Sequence, residues 1–284
     1  MNVLLTNNHL MTYGGTENWT YTVYKKLIQL GFNVDVFSLK HNVTFSSRFK
    51  NFYRSTPKNE YDLVLCNHNS CFNLILNKVK YKKLTFISHG TIPYLEKPLA
   101  GADRYISVSK EIQSHILKRG FESDVVLNPI DLEVYYPSKP LNLKIENIFS
   151  LCQQQAASNK IKTLGINTFQ IEKVRRELSH KDYNDSDICV GLGRSAFESL
   201  ACGRPVIVYD YRGYNGELYD GIISKDNISE LIKNNCSGRR YKMSFSLDQI
   251  KSDIETSYIA DTDYYRSIAE KYFNVNKIIK QLIK

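Results

Sequence analysis

Apolar positions in this chain follow two spacings that alternate. Short β-branched and apolar runs at Val3–Thr6, Val34–Leu39, Leu63–Cys66, Leu84–Ser88, Tyr105–Val108 and Val125–Leu127 read as strands. Between them, Glu17–Leu30, Phe72–Val79 and Lys110–Arg119 carry apolar residues three and four apart, the helix period. Such alternation predicts a parallel sheet covered on both faces. Pro137-Ser138-Lys139-Pro140 then breaks the pattern, because two prolines three apart fit neither a helix interior nor a central strand. A second α/β stretch follows, with strands expected at Ile145–Leu151, Ile188–Val190 and Pro205–Tyr209. Its helices are expected at Asn159–Leu164, Gln170–Leu178 and Arg194–Ala201, and the tail from Leu247 is mostly helical, ending in Asn274–Lys284. The pattern predicts an α/β fold of two Rossmann-like halves facing a cleft: residues 1–138, residues 139–270, and a terminal helix at 271–284 that is free to cross back to the first half. In open α/β sheets ligands bind beyond the carboxyl ends of the strands, so the loops there are where chemistry is sought.

Composition narrows the class. The 284 residues correspond to two domains at about 150 residues each. A hydrophobic content of 42% with 24% charged residues excludes a disordered chain, a collagen and a small disulfide scaffold. No apolar run approaches the ~20 residues that cross a bilayer. The start, Met1 to Thr6, lacks the basic region and long apolar run of a signal peptide and reads as a first strand. Six cysteines, at 66, 71, 152, 189, 202 and 236, include no Cys-x-x-Cys pair, the pattern of buried reduced thiols in a cytoplasmic protein. Net charge is +9, from 38 Lys and Arg against 29 Asp and Glu. The excess concentrates between residues 40 and 83, where Lys40, Arg48, Lys50, Arg54, Lys58, Lys78, Lys80, Lys82 and Lys83 face only Glu60 and Asp62. An anionic partner is implied.

Two glycine turns carry the candidate chemistry. After the first strand, the segment Asn7–Glu17 holds Gly14-Gly15 just before a helix. Adjacent glycines let a backbone approach a ligand closely, and the N–H groups of a helix start suit an anion such as phosphate. The segment is neither G-x-G-x-x-G nor G-x-x-x-x-G-K-[ST], which disfavours a nicotinamide enzyme and a P-loop NTPase. In the second turn a strand runs into Gly191-Leu192-Gly193 and then a helix that ends at Cys202-Gly203, with glycine where a left-handed cap is wanted, before Pro205 opens the next strand. Arg194 and Ser195 in the first helical turn would join the backbone donors around an anion. One turn on, Glu198 would accept two hydrogen bonds from vicinal hydroxyls such as those of a ribose. This segment predicts a nucleotide site.

At this point the sequence resembles the retaining glycosyltransferases of the GT-B fold, family 4 type. The resemblance rests on Gly14-Gly15-Thr16-Glu17 with Gly31 and Val34-Asp35-Val36; Ser88-His89-Gly90; Ile106-Ser107-Val108-Ser109; Asn128-Pro129-Ile130-Asp131 with Tyr136-Pro137; Glu198 through Ile207; and Gly213 with Gly216-Glu217-Leu218, in the family's order. Two features depart from it. Val190 stands eight residues before Glu198, where the family's Glu-x7-Glu places its first glutamate. The stretch Cys152–Lys160 lacks the arginine of the family's phosphate clamp, leaving Lys160 or Lys162 as a stand-in.

The resemblance implies an acceptor-binding first domain and a shortened nucleotide-sugar-binding second domain. Closure would set Gly14 and Gly15 against the donor diphosphate. Gly191, Gly193, Arg194, Ser195, Glu198, Lys160 and Glu217 would hold the donor, and preorganised donors and cations would stabilise the leaving charge. His89 would touch the transferred sugar or assist the acceptor hydroxyl, with Glu17, Lys50 and Arg54 on the acceptor side. No metal and no other cofactor is expected: Asp185-Ser186-Asp187 precedes its strand, and the six histidines form no H-x-x-x-H or H-x-H pair. The basic run, interleaved with Phe45, Phe49, Phe52 and Tyr53, suits two acceptors. One is a glycan or lipid-linked saccharide at an anionic membrane surface, for a cytoplasmic protein peripheral to the membrane. The other is DNA, phosphates on Lys and Arg and bases on the rings, with the target base drawn from the stack. Two readings of another class compete: a non-catalytic nucleotide-sugar-binding protein, and a nucleotide-sugar epimerase, which needs carboxylate acid–base partners beyond Glu17 and Glu198.

Overall fold

A computed structural model describes residues 1–171, 176–213 and 216–284. The chain divides into two units, residues 1–129 with 275–284, and residues 130–274.

Unit 1 is built on continuous apolar runs that are buried on both faces, as a parallel sheet requires. In chain order its strands are β1 (Asn2–Leu10), β2 (Asn33–His41), β3 (Phe52–Tyr53), β4 (Glu60–Tyr61), β5 (Leu63–Asn67), β6 (Lys80–Tyr81), β7 (Leu84–Ser88), β8 (Arg104–Ser107) and β9 (Asp124–Val125). Seven of them form one parallel sheet in the order β3-β2-β1-β5-β7-β8-β9, and β4 pairs with β6 separately. The order reverses beside β1, which has β2 on one side and β5 on the other, so the carboxyl ends of β1 and β5 flank the topological switch point. Helices α1 (Gly15–Gln29), α2 (Val43–Ser46), α3 (Asn69–Lys78) and α4 (Lys110–Leu117) connect the strands. One face of the sheet packs Leu5, Trp19, Val23, Leu27 and Ile87 together, and the other packs Leu4, Phe37, Phe72, Ile75 and Phe86.

Unit 2 holds a six-stranded sheet in the order β11-β10-β12-β13-β14-β15. Its strands are β10 (Asn147–Ser150), β11 (Asn167–Gln170), β12 (Ile188–Gly191), β13 (Val206–Asp210), β14 (Leu218–Ile222) and β15 (Met243–Ser244). The first four in spatial order are parallel, and β14 runs antiparallel to both of its neighbours, β13 and β15. Its helices are α5 (Gln155–Lys162), α6 (His180–Asn184), α7 (Arg194–Ala201), α8 (Ile228–Leu231), α9 (Leu247–Ser257) and α10 (Thr262–Tyr272). The final helix, α11 (Val275–Leu282), belongs to unit 1, where Ile278, Ile279 and Leu282 enter the core beside Leu27.

Two expectations are corrected. Gln170 ends the edge strand β11 instead of opening a helix over Gln170–Leu178, and residues 176–179 are not helical. Residues 172–175 of that expected helix lie outside the described residues. The half-polar run Asn167–Gln170 pairs with β10 on one side only, so it need not be apolar throughout. The segment after the first strand is also shorter as a loop than expected. β1 continues through Asn7, Asn8, His9 and Leu10 because Asn7, His9 and Leu10 pair with Ser38, Lys40 and His41 of β2.

Candidate functional site

At the carboxyl end of β12 the chain turns through Gly193 into α7. Gly193 has φ +56° and ψ −130°, a conformation that L side chains rarely adopt, and its N–H donates to Cys236 O at 2.9 Å. At Gly191 an added Cβ would lie 3.1 Å from Leu151 Cβ and 3.3 Å from Ser195 Oγ, so helix and strand approach closely here. Ser195 Oγ donates to Leu192 O at 2.8 Å. Gly203, at φ +69°, provides the left-handed residue just after α7.

Arg194 and Glu198 form a buried pair one helical turn apart. Arg194 Nε donates to Glu198 Oε1 at 2.7 Å, and the Tyr183 hydroxyl donates to Oε2 at 2.6 Å. Burial first, and then the adjacent Glu198 charge, push the Tyr183 phenol well up. Glu198 is 1% exposed. The carboxylate assigned from sequence to a ribose therefore lies beneath the surface, where it orients Arg194. On α5, Lys160 pairs with Glu217 at 2.5 Å, and Glu217 itself sits at φ +57°.

Sequence reasoning missed a second group of cations. Asp210, fully buried at the carboxyl end of β13, accepts from Arg212 Nε at 2.6 Å, from the Arg212 terminal nitrogen at 2.8 Å, and from Arg239 at 3.4 Å. The signal was the pair Asp210 and Arg212 straight after a strand, the place where open sheets bind ligands.

In unit 1 the switch point gathers histidines and carboxylates. His9, near the end of β1, donates from Nε2 to Glu17 Oε1 at 3.1 Å. Thr12 and Thr16 hydroxyls donate to the same carboxylate, each at 3.1 Å. Burial pushes Glu17 up, but His9, its own backbone N–H and Thr12 outweigh that and hold it below the ordinary carboxylate range. The Glu17 carboxylate folds back over Gly14, where a Cβ would lie 2.5 Å from Oε2, whereas a Cβ on Gly15 would meet nothing within 4 Å. The start of α1, read from sequence as a phosphate site, is thus faced by the chain's own carboxylate. Glu17, placed from sequence on the acceptor side, is 3% exposed and reaches solvent through His9.

Behind this pair stands a second one. His68 follows β5 at φ +73°, with Nδ1 accepting the Asn8 N–H at 3.1 Å and Nε2 lying 3.5 Å from Glu96 Oε1. Glu96 Oε2 accepts the His89 backbone N–H at 2.6 Å. Burial pushes Glu96 up, yet the His68 hydrogen bond, both imidazoles and the His89 N–H together hold it low. The half-buried His89 ring follows β7, donates from Nε2 to Asn67 Oδ1 at 2.7 Å and meets Trp19 edge-on at 5.2 Å. Asn67 donates from Nδ2 to Thr6 O, which fixes its amide so that Oδ1 is the acceptor. The structure therefore joins His89 with His68 through Glu96, beside His9 and Glu17.

The basic run does not form one aromatic-lined face. Phe45 and Phe49 are 1% and 4% exposed and belong to the core, so the expected interleaving of charges and surface rings is corrected. The apolar periodicity of 45–49 faces inward, and the Arg48 guanidinium covers the Tyr21 ring at 3.6 Å from its centroid. Lys58, Lys78, Lys80, Lys82 and Lys83 lie toward the amino ends of β5 and β7, away from the histidines, and Lys82 pairs with Asp62 at 2.7 Å. Lys50 and Arg54 are exposed on either side of the edge strand β3, with the Lys50 N–H bound to the Tyr24 hydroxyl at 2.9 Å.

All six cysteines are buried and free. Among the described residues, no helix is long and apolar enough to cross a membrane, and no group of three or more His, Cys, Asp or Glu side chains is placed to hold a metal ion.

No protein-family model and no curated protein matches the sequence. Solved structures do match along its whole length. A glycosyltransferase from Rickettsia africae ESF-5 is 14% identical, with a TM-score of 0.61 over 99% of this chain and 96% of the other. An α-glucosyltransferase in complex with UDP and a 13-mer DNA containing an HMU base is 11% identical, with a TM-score of 0.62 over 100% and 98%. A Listeria monocytogenes protein described as a UDP-N-acetylglucosamine 2-epimerase is 10% identical, with a TM-score of 0.56 over 99% and 94%. At this identity the likeness is one of fold, and the fold of this chain is that of the GT-B glycosyltransferases.

Proposed function

We propose that the protein transfers a sugar from a nucleoside-diphosphate sugar to a hydroxyl acceptor. The observation that carries this reading is the turn at Gly193. It leads from a parallel strand's carboxyl end into a helix whose first residue is Arg194, held in place by the buried Glu198. Helix-start N–H groups and a fixed guanidinium suit a diphosphate. Arg212 and Arg239, ordered by Asp210, supply the guanidinium groups that the Cys152–Lys160 segment lacks. The donor is a substrate, and the reading calls on no metal. Retention at the anomeric carbon is the finer reading that the motif resemblance implies. A reducing, cytoplasmic setting suits the six buried thiols.

For the acceptor, a glycan or lipid-linked saccharide is the first reading. A hydroxylated DNA base is the second, favoured by the full-length likeness to an enzyme solved with DNA and by the net charge of +9. With Phe45 and Phe49 in the core, such DNA binding would rest on phosphate contacts more than on base stacking.

The test is a thermal-shift panel of nucleoside diphosphates and nucleotide sugars on the parent and on Arg212→Ala. It is followed by nucleoside diphosphate release with lipid-linked saccharide in anionic vesicles, or with duplex DNA bearing hydroxymethylated bases. The expected result is a nucleoside diphosphate that raises the melting temperature, a weaker shift in Arg212→Ala, and release that requires an acceptor. Release at the same rate without acceptor would favour the epimerase class, and binding without turnover would leave a nucleotide-sugar-binding protein.

A further inference from the structure

We propose that the cavity at the amino ends of β1 and β2 binds a small organic molecule that carries a primary ammonium group, and that Asp35 pairs with its charge. Such a site is independent of sugar transfer. It lies at the edge of the unit 1 sheet opposite to the one that holds His9, His68 and His89. β1 spans Asn2–Leu10, and at about 3.3 Å per residue its ends stand roughly 26 Å apart.

Asp35 is out of place in a buried parallel strand. On β2 its side chain points to the same face as Phe37, two residues on, in the layer that holds Tyr61 and Phe72. Burying a carboxylate is costly unless a cation or hydrogen bonds compensate it. Glu17, Glu96, Glu198 and Asp210 each face an imidazole or a guanidinium. Asp187 and Asp220 take backbone N–H groups on both oxygens. Asp35, 3% exposed, is the exception. Its Oδ2 accepts from the Tyr61 hydroxyl at 2.7 Å and from Asn59 Nδ2 at 3.1 Å, both neutral donors. Burial first, and then the Asp35 hydrogen bond and charge, push the Tyr61 phenol up, which keeps its hydroxyl a donor here. Among the described residues, no cation pairs with Asp35 and nothing donates to its Oδ1. That oxygen is not sealed in protein but opens on the cavity.

The cavity has a volume of about 350 Å³ and is lined by Asn2, Asn33, Asp35, Asn59, Glu60 and Tyr61. Hydrogen bonds orient its amides. Asn33 Nδ2 donates to Asn2 Oδ1 at 3.3 Å, and Asn59 Nδ2 donates both to Asp35 and to the Tyr53 hydroxyl, the latter at 3.0 Å. Asn33 Oδ1 and Asn59 Oδ1 are thereby left as acceptors beside Asp35 Oδ1, with the exposed Glu60 carboxylate adding a second negative charge. A lining rich in acceptors, with two carboxylates and no cationic side chain, calls for a ligand that brings N–H donors and positive charge. The three N–H groups of a primary ammonium meet that demand, and the contact with Asp35 is a charge-assisted hydrogen bond to a partly desolvated oxygen. The volume lies at the small end of the range for organic ligands, so there is room for the body that carries the ammonium.

The test uses the full chain at constant ionic strength. Putrescine is the probe, 1,4-butanediol its uncharged counterpart, and calcium chloride the metal-ion arm. The side-chain amide resonances of Asn33 and Asn59 read the site directly. Putrescine is expected to shift them saturably, and 1,4-butanediol at the same concentrations to leave them unmoved. Asp35→Asn keeps the size of the side chain and an acceptor for the Tyr61 hydroxyl. It is expected to weaken putrescine roughly 10-fold or more, the scale of a lost charge-assisted hydrogen bond. Glu60→Gln, at the exposed mouth, is expected to weaken it about twofold to fivefold, as an exposed ion pair does. Four results overturn the assignment: shifts that do not saturate, equal shifts with 1,4-butanediol, unchanged affinity in Asp35→Asn (or in Glu60→Gln should Asp35→Asn not fold), or calcium binding at the same amides more tightly than putrescine, which would make the cavity a metal-ion site.

Discussion

The carboxyl edges of the two sheets present buried carboxylates of the same kind with different cations. In unit 1 Glu17 and Glu96, 3% and 6% exposed, face His9 and His68. In unit 2 Glu198 and Asp210, 1% and 0% exposed, face Arg194, Arg212 and Arg239. An imidazole gains and loses a proton near neutral pH, whereas a guanidinium keeps its charge. Under the proposed function, the first edge suits groups that exchange a proton and the second a fixed positive field.

The largest effect that sharpens this contrast lies in unit 2. Arg194→Ala takes the adjacent guanidinium away from the buried Glu198 carboxylate, which the Tyr183 hydroxyl also holds. Breaking one side of such a pair costs about 3–5 kcal/mol. Replacing both partners, as Arg194→Met with Glu198→Met, is expected to recover most of that loss, because neither charge is then buried. Urea unfolding of the three variants measures both. A single-variant cost below about 1 kcal/mol would mean that the pair behaves like a surface pair.

Next in size is Glu96→Gln in unit 1. Removing the charge that accepts the His89 N–H and faces His68 is expected to cost about 1–3 kcal/mol at neutral pH. The sign of the pH dependence follows from the depressed Glu96 carboxyl. Its contribution is complete above the ordinary value of 4.5 and is lost as pH falls through its lower value in the folded chain. Glu96→Gln should therefore lose stability near neutrality and show a flatter acid limb than the parent in calorimetry. A parallel pair of acid limbs would mean that Glu96 is not held low by its imidazoles.

Much of this architecture is legible in the sequence because fully buried parallel strands are continuous apolar runs. Leu84–Ser88 coincides with β7, and Arg194–Ala201 coincides with α7. The edges are less legible. β11 is a half-polar strand that pairs on one side, and β14, the last strand but one at the other end of the sheet, contains Gly221 at φ +82°, so neither has the composition of a central strand. The Gly191–Glu198 segment can be read locally because its parts are consecutive, but Tyr183, which completes Glu198, comes from another helix. The His9–Glu17 pair is hidden for a related reason. Its members lie eight residues apart across a strand, a turn and a helix, and they meet only because β1 runs on to Leu10 and the chain reverses at Gly14. His68 and Glu96 are 28 residues apart on different loops, with no spacing rule to join them.

The smallest expected effect separates the two adjacent glycines, which the sequence treats alike. Gly15 is the first residue of α1, is exposed, and has open space where a Cβ would point. Gly15→Ala is expected to stabilise the chain by about 0.4–1 kcal/mol, because alanine has less backbone freedom to lose on folding. Gly14→Ala must instead displace the Glu17 carboxylate, so it should bring no such gain and should lower the pH at which His9 titrates. Calorimetry and the His9 ring resonances read the two outcomes. If the space over Gly15 admits the donor, Gly15→Ala will melt higher and yet transfer more slowly, because its methyl group fills a position that the folded chain leaves open. Equal behaviour of the two variants would break the distinction between a glycine kept for the carboxylate beside it and one kept for a substrate.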